Sequence, residues 1–126
     1  MALGLSTTLR TARVQAIIDA AGSSAKIKYY NGTQPATGGA ATTLLATLFC
    51  GSVLGTAASG VLTFGPVTQN NANHVSGTPT WMRITTSADV FVADINIGAL
   101  GETFTGTIAT GVDITFNAHT ITEGNA

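Results

Sequence analysis

Two runs of β-branched and aromatic residues, Thr80–Thr86 and Val90–Ile97, flank the short polar break Ser87-Ala88-Asp89. That pattern predicts two antiparallel strands joined by a tight connection. In the second run Phe91, Ala93, Ile95 and Ile97 alternate with Val90, Val92, Asp94 and Asn96, which assigns the two sets to opposite faces of a sheet. Trp81, the only tryptophan, lies in the first run and brings the largest single apolar surface to a core, so it is expected to anchor one. Asp94 is the one odd charge in its strand. Either it pairs with Arg83 across the hairpin or each group faces water separately.

The period changes at the two ends of the chain. Leu3 to Ala21 reads as a helix, with Ser6, Thr7 or Thr8 available to cap its first turn and Gly22 to close it. Leu9, Ala12, Ala16 and Ala20 form one stripe, with Val14, Ile17, Ile18 and Ala21 beside it. Arg10 and Arg13 fall early and Asp19 late, the reverse of what the helix dipole favours. Such a helix depends on packing. It either covers its own sheet or docks on a neighbour, and in the second case Leu9, Val14, Ile17 and Ile18 are the candidate contacts to a partner or sister subunit. At the other end, Val112, Ile114, Phe116 and Ala118 alternate with Asp113, Thr115, Asn117 and His119, a closing strand over Val112–Ile121.

Between these ends, Ala25–Tyr30 alternates as a strand with one wet face, followed by an Asn31-Gly32 turn and a loop to about Ala41. Thr42–Cys50 is apolar on nearly both sides, which predicts a central or covered strand. Gly51–Gly60 reads as a small-residue connection and Val61–Gln69 as the next strand, interrupted at Gly65-Pro66. Proline cannot donate to a ladder, so this strand is expected at an edge or with a bulge. Gln69–Pro79 reads as a polar loop, and Thr103–Thr110 as one more strand after a turn at 98–101. Seven or eight short strands and one helix predict a mainly β protein: an antiparallel β-sandwich or jelly-roll-like domain with one N-terminal α-helix. One domain spans 1–126, with the helix in 1–22, the sandwich in 25–121 and a polar tail in 122–126 that is expected to fray.

Composition sharpens this picture in one respect. Only 9% of the 126 residues are charged, against about 25% in an ordinary soluble domain. Thr is the commonest residue and, with Ala and Gly, fills the gap. A small domain so poor in charge is a weakly soluble monomer, so much of its surface is expected to be covered by sister subunits or another partner. A net charge of −1 gives no electrostatic footprint for nucleic acid. No apolar run reaches the roughly 20 residues that cross a bilayer. The start of the chain lacks the pattern of a secretory signal, which predicts synthesis and retention in the cytoplasm. For the same reason the sequon Asn31-Gly32-Thr33 is not expected to be glycosylated.

The residues offer little chemistry. His74 and His119 lie far apart and neither has a ligand at metal spacing, so no metal or cofactor is expected. Asp94 and Asp113 sit on different predicted strands, where lone acids are usually just solvated. Cys50 ends the apolar run TLLATLFC and reads as a buried, inert thiol. The expectation is a protein that is not an enzyme.

Three blocks taken together carry a resemblance: LSTTLRTARVQAIIDAAG followed by KIKYYNGTQPATGG, the central TWMRI with Trp81 and Arg83, and the closing ITFNAHTITEGN. They resemble a family of short structural proteins encoded by tailed bacteriophages and prophages, and the likeness runs over nearly the whole chain. The resemblance implies a virion component, assembled in the host cytoplasm, with the major capsid protein or other virion proteins as partners and a homo-oligomer as the working form. Within a virion the first expectation is a capsid decoration, or cement, protein. A tail, head–tail connector or fibre-base component comes second, and a glycan-binding β-sandwich, which needs exposed aromatic platforms, ranks lower.

Overall fold

The computed structural model describes residues 4–97, 107–112, 114 and 120–122, the last three by their backbone. Helix α1 (Thr7–Ala21) is followed by strands β1 (Lys26–Tyr30), β2 (Leu44–Cys50), β3 (Gly55–Ala58), β4 (Val61–Phe64), β5 (Val67–Gln69), β6 (Trp81–Thr85), β7 (Phe91–Asn96) and β8 (Thr120–Thr122). A 3-10 turn at Asn71–Asn73 precedes β6. The protein is mainly β with one N-terminal helix. Five strands form an antiparallel sheet in the order β5-β2-β1-β6-β7, and the β3–β4 hairpin, with β8 paired on β4, forms a smaller one. None of the described helices is long and apolar enough to cross a membrane.

The helix starts where a hydroxyl can cap it. Ser6 Oγ accepts the Leu9 N–H at 3.1 Å, and Gly22, at φ 70°, lets its own N–H reach back to the Ile18 carbonyl. Val14, Ile18 and Ala21 form the i, i+4, i+7 stripe that is buried. It packs with Leu54, Leu62 and Phe64 of the smaller sheet and its approach, and both meet the inner face of the five-stranded sheet in one core. The inner face runs in two cross-strand rows, Leu48–Ile27–Ile84–Ala93 and Ala46–Tyr29–Met82–Ile95. Rows of this kind are the unit of sheet stabilisation, because opposed side chains on adjacent strands touch along their length.

Three departures from the sequence pattern have clear causes. First, Gly51–Gly60 is not only a connection, because β3 lies within it. Ser59 and Gly60 both take positive φ (51° and 77°), as a two-residue hairpin turn of the primed type requires. A Cβ on Gly55 would fall 2.1 Å from the Thr63 carbonyl oxygen, so only glycine lets β3 approach β4. Second, Val61–Gln69 is two strands rather than one. At Gly65-Pro66 the chain leaves the smaller sheet and enters the larger one, where β5 is an edge strand, as a proline just before it demands. Third, the register of β6 and β7 slips between Ile84↔Ala93 and Thr85↔Phe91, leaving Val92 as an extra residue. This β-bulge reverses the alternation. Val92 packs against the core, while Phe91 moves to the outer face, away from the Ala93 and Ile95 set to which its spacing assigns it.

The first half of the expected strand Thr103–Thr110, 103–106, lies outside the described residues. So do Asp113, Phe116, Ala118 and His119 of the expected closing strand, and positions 123–126 of the tail. The described part, 107–112 and 114, docks on β5 and the loop after it. Gly77 and Ile108 exchange both backbone hydrogen bonds, at 2.9 and 2.7 Å. The Gln69 side chain acts as a strand neighbour to Ile114, accepting its N–H at 2.7 Å and donating to its carbonyl at 3.1 Å. Ile108 and Ile114 are buried by this docking.

Candidate functional site

The helix contacts divide in two. Val14 and Ile18 are taken up by the chain's own core, which overturns their reading as partner contacts. The reason is geometric: the stripe of Val14, Ile18 and Ala21 is the one turned toward β3 and β4, and burying it covers them. Ile17 is half-buried at the margin of that core, and Leu9 remains 46% exposed. Of the four, Leu9 is the one free to touch another molecule.

The outer face of the large sheet carries a polar clasp built on Trp81, Arg83 and Asp94. Trp81 is fully buried, yet it stands apart from the main core and stacks on Tyr30 with ring centroids 4.3 Å apart and planes 14° from parallel. Its indole N–H lies 2.9 Å from Thr42 Oγ1 and 3.2 Å from the Asn31 carbonyl. Arg83 and Asp94 face each other in register on β6 and β7. Arg83 Nε donates to Asp94 Oδ1 at 2.6 Å and Nη2 to Oδ2 at 3.0 Å, a bidentate ion pair. Arg83 Nη2 also donates to the Gly39 carbonyl at 2.7 Å, and the Gly38 N–H donates to Asp94 Oδ2 at 3.2 Å. The guanidinium lies between two rings, 5.3 Å from Trp81 and 5.4 Å from Phe91. Hydrogen bonding to Asp94 raises the pKa of the guanidinium, with burial pulling the other way. Burial raises the pKa of the Tyr30 phenol, and Arg83 partly offsets this.

The loop 31–43 is therefore pinned over the sheet by the clasp. This gives Arg83 and Asp94 their job, and it places Trp81 under a strap rather than in the central core. The sequence offers the pair as one of two alternatives, and the structure shows it formed. The sequence does not find the strap, because loop residues that bond through backbone carbonyls leave no side-chain signal.

Beside the clasp, the hairpin tip closes on two lysines. Asp89, at φ 65°, accepts from Lys26 Nζ at 3.0 Å and Lys28 Nζ at 2.8 Å through the same oxygen. These two lysines hold its carboxyl below the usual carboxylate range. Three of the five basic residues of the chain are thus engaged with acids on one face.

At the β5 end of the same sheet lies an uncharged patch. Leu44, Phe49 and Val75 are 40%, 41% and 48% exposed and border a cleft of about 300 Å³. His74 lines this cleft and is buried; its Nδ1 lies 3.1 Å from the Val112 carbonyl, which can only accept, so Nδ1 carries the proton. Its Nε2 is buried without a hydrogen-bond partner. Sequence reading treats His74 as a loop residue; its burial follows from the docking of 107–112, a contact between distant segments. Burial pushes the Cys50 thiol up to about 11, which leaves it protonated and a poor nucleophile at neutral pH. Among the described residues no three His, Cys, Asp or Glu side chains come together to hold a metal ion. Asp94 is committed to Arg83, and Asp113 lies outside the described residues.

Comparison of the chain with protein-family models, with curated proteins and with solved structures finds no match.

Proposed function

We propose that this protein is a structural component of a tailed-phage particle, and within it a capsid decoration protein that binds the outer shell in many copies. The observation that carries this reading is the division of the surface. The few charges of the large sheet are spent on one another in the clasp and at the hairpin tip, while Leu44, Phe49 and Val75 stand exposed around the cleft. A surface that keeps its charges for internal pairing and leaves aromatic and aliphatic side chains in water suits a subunit that spends its working life covered. The two sheets with their shared core are read, on this view, as a sandwich of the jelly-roll kind.

The mechanism is linkage. A subunit that touches several capsid proteins at once stabilises the assembled shell by its binding free energy, and repetition over the shell multiplies a weak contact. No cofactor, nucleic acid or membrane enters this scheme. Trp81, Tyr29 and Tyr30 are buried, so none of the three offers the exposed platform a glycan-binding module needs.

Quantitative mass spectrometry of purified virions tests the proposal. Copies in simple ratio to the major capsid protein support decoration. A handful per particle moves the protein to the tail, connector or fibre base, and absence from particles overturns the virion reading altogether.

A further inference from the structure

We propose that Asn31 is a site of spontaneous backbone modification, and that its conversion loosens the strap over Trp81. Asn31-Gly32 is the sole Asn-Gly pair in the chain. It follows directly on β1, with Asn31 half-buried and Gly32 exposed. Among the described residues, neither the side-chain amide of Asn31 nor the N–H of Gly32, the two groups that must react, makes a hydrogen bond, although the surrounding atoms are pinned. The Asn31 N–H donates to the Thr43 carbonyl at 3.2 Å, and the Gly32 carbonyl accepts from Thr80 Oγ1 at 2.5 Å. Gly32 sits at φ 78° and has no Cβ to shield its nitrogen.

The chemistry needs only water. The Gly32 nitrogen, on losing its proton, attacks Asn31 Cγ. A C–N bond forms, the bond from Cγ to Nδ2 breaks, and ammonia leaves with the proton. Water then opens the five-membered succinimide. Attack at Cγ gives an ordinary aspartyl linkage. Attack at the main-chain carbonyl carbon gives an isoaspartyl linkage, in which the chain runs through Cγ and the former main-chain carbonyl becomes a free carboxylate.

That carbonyl is the anchor of the strap at its β1 end, as the clasp is at Gly38 and Gly39. It accepts from the Trp81 indole N–H at 3.2 Å and from the Thr42 hydroxyl. The isoaspartyl product adds a methylene to the backbone between β1 and Gly32 and turns the carbonyl oxygen into part of a charged side group. The strap then no longer fits over the Tyr30–Trp81 stack in the same register. The outcome is an ageing device on the outer face, independent of what the protein assembles with.

The experiment ages the full folded chain at mildly alkaline pH and digests samples at intervals for mass spectrometry, with a urea-unfolded sample in parallel. The expected result is amide-to-acid conversion at 31 in the folded protein ahead of Asn70, Asn71, Asn73 and Asn96. Labelling by an isoaspartyl methyltransferase should appear with the same time course, as should a change in Trp81 emission. N31Q, which cannot form the five-membered ring, should abolish all three changes. Conversion only in the unfolded sample, or in neither, overturns the proposal. Conversion at 31 with Trp81 emission unchanged overturns its second half, the loosening of the strap.

Discussion

Replacing Asp94 by asparagine removes the acid of the outer-face clasp at almost constant volume. The carboxylate accepts three hydrogen bonds, two from Arg83 and one from the Gly38 N–H, and its side chain is only 2% exposed. An amide offers one oxygen in place of two, so it cannot serve both nitrogens of the guanidinium and Gly38 as well. Arg83, 13% exposed, is left charged without a counter-ion. Breaking a buried pair from one side costs about 3–5 kcal/mol. Arg83 keeps its bond to the Gly39 carbonyl and its two ring contacts, so the lower end, about 3 kcal/mol, applies to Asp94→Asn. Arg83→Met strands the more deeply buried partner and is expected to cost more, about 4 kcal/mol. In a domain of this size about 3 kcal/mol lowers Tm by roughly 12 °C. Urea unfolding followed by Trp81 emission reads the loss directly, because the indole stacks beside the pair and reports the same face. The double variant R83M/D94L, with neither charge, should recover most of the stability. Single variants that both unfold within about 0.5 kcal/mol of the parent, the spread typical of neutral surface changes, would refute the view that the clasp holds the sheet and strap together.

Other expectations follow from the same geometry. The carboxyl of Asp89 is lowered by its two lysines, so its contribution is fully present above the unfolded value of 3.8 and is lost as pH falls through the lower folded value. Urea midpoints measured from about pH 5 down to about pH 2 should fall more steeply for the parent than for Asp89→Asn, which tolerates the same positive φ; parallel curves would remove the role given to the ion pairs. Ile18→Ala should cost about 3 kcal/mol in urea unfolding, whereas Leu9→Ala should stay within about 0.5 kcal/mol and show its effect, if the helix edge is a contact, in particle incorporation. Equal stability losses for the two would contradict the assignment of inner and outer helix faces. Cys50 should resist a thiol reagent in the folded protein and react once urea unfolds it; rapid labelling of the native chain would contradict its burial. Gly55→Ala should prevent the β3–β4 hairpin from closing, seen as loss of the cooperative transition, since the added carbon meets main chain rather than a movable side chain.

The sequence by itself determined the elements whose signals are local. A capping hydroxyl among Ser6, Thr7 and Thr8, the Gly22 closure of α1, the β6–β7 hairpin, β1 and β2 could all be read from spacing, because period and turn chemistry act within a few residues. The facing of Arg83 and Asp94 was not local in this sense: carried on from Thr85↔Phe91, the register would set Arg83 against Ala93, and the bulge at Val92 shifts it by one to Asp94. The Ser59-Gly60 turn and the strand before it went unread, because both lie within a run of small residues that reads as a connection. Tertiary structure alone decided the rest. The bulge at Val92 sends Phe91 to the outer face, and the passage at Gly65-Pro66 moves the chain from one sheet to the other. Which helix stripe is buried, and so the loss of Val14 and Ile18 as partner contacts, depends on where the β3–β4 hairpin lies. The strap over Trp81 and the burial of His74 are made by backbone carbonyls and by segments tens of residues apart. Periodicity reports what one strand or helix prefers to bury; which surface arrives to cover it is set by the packing of the whole chain.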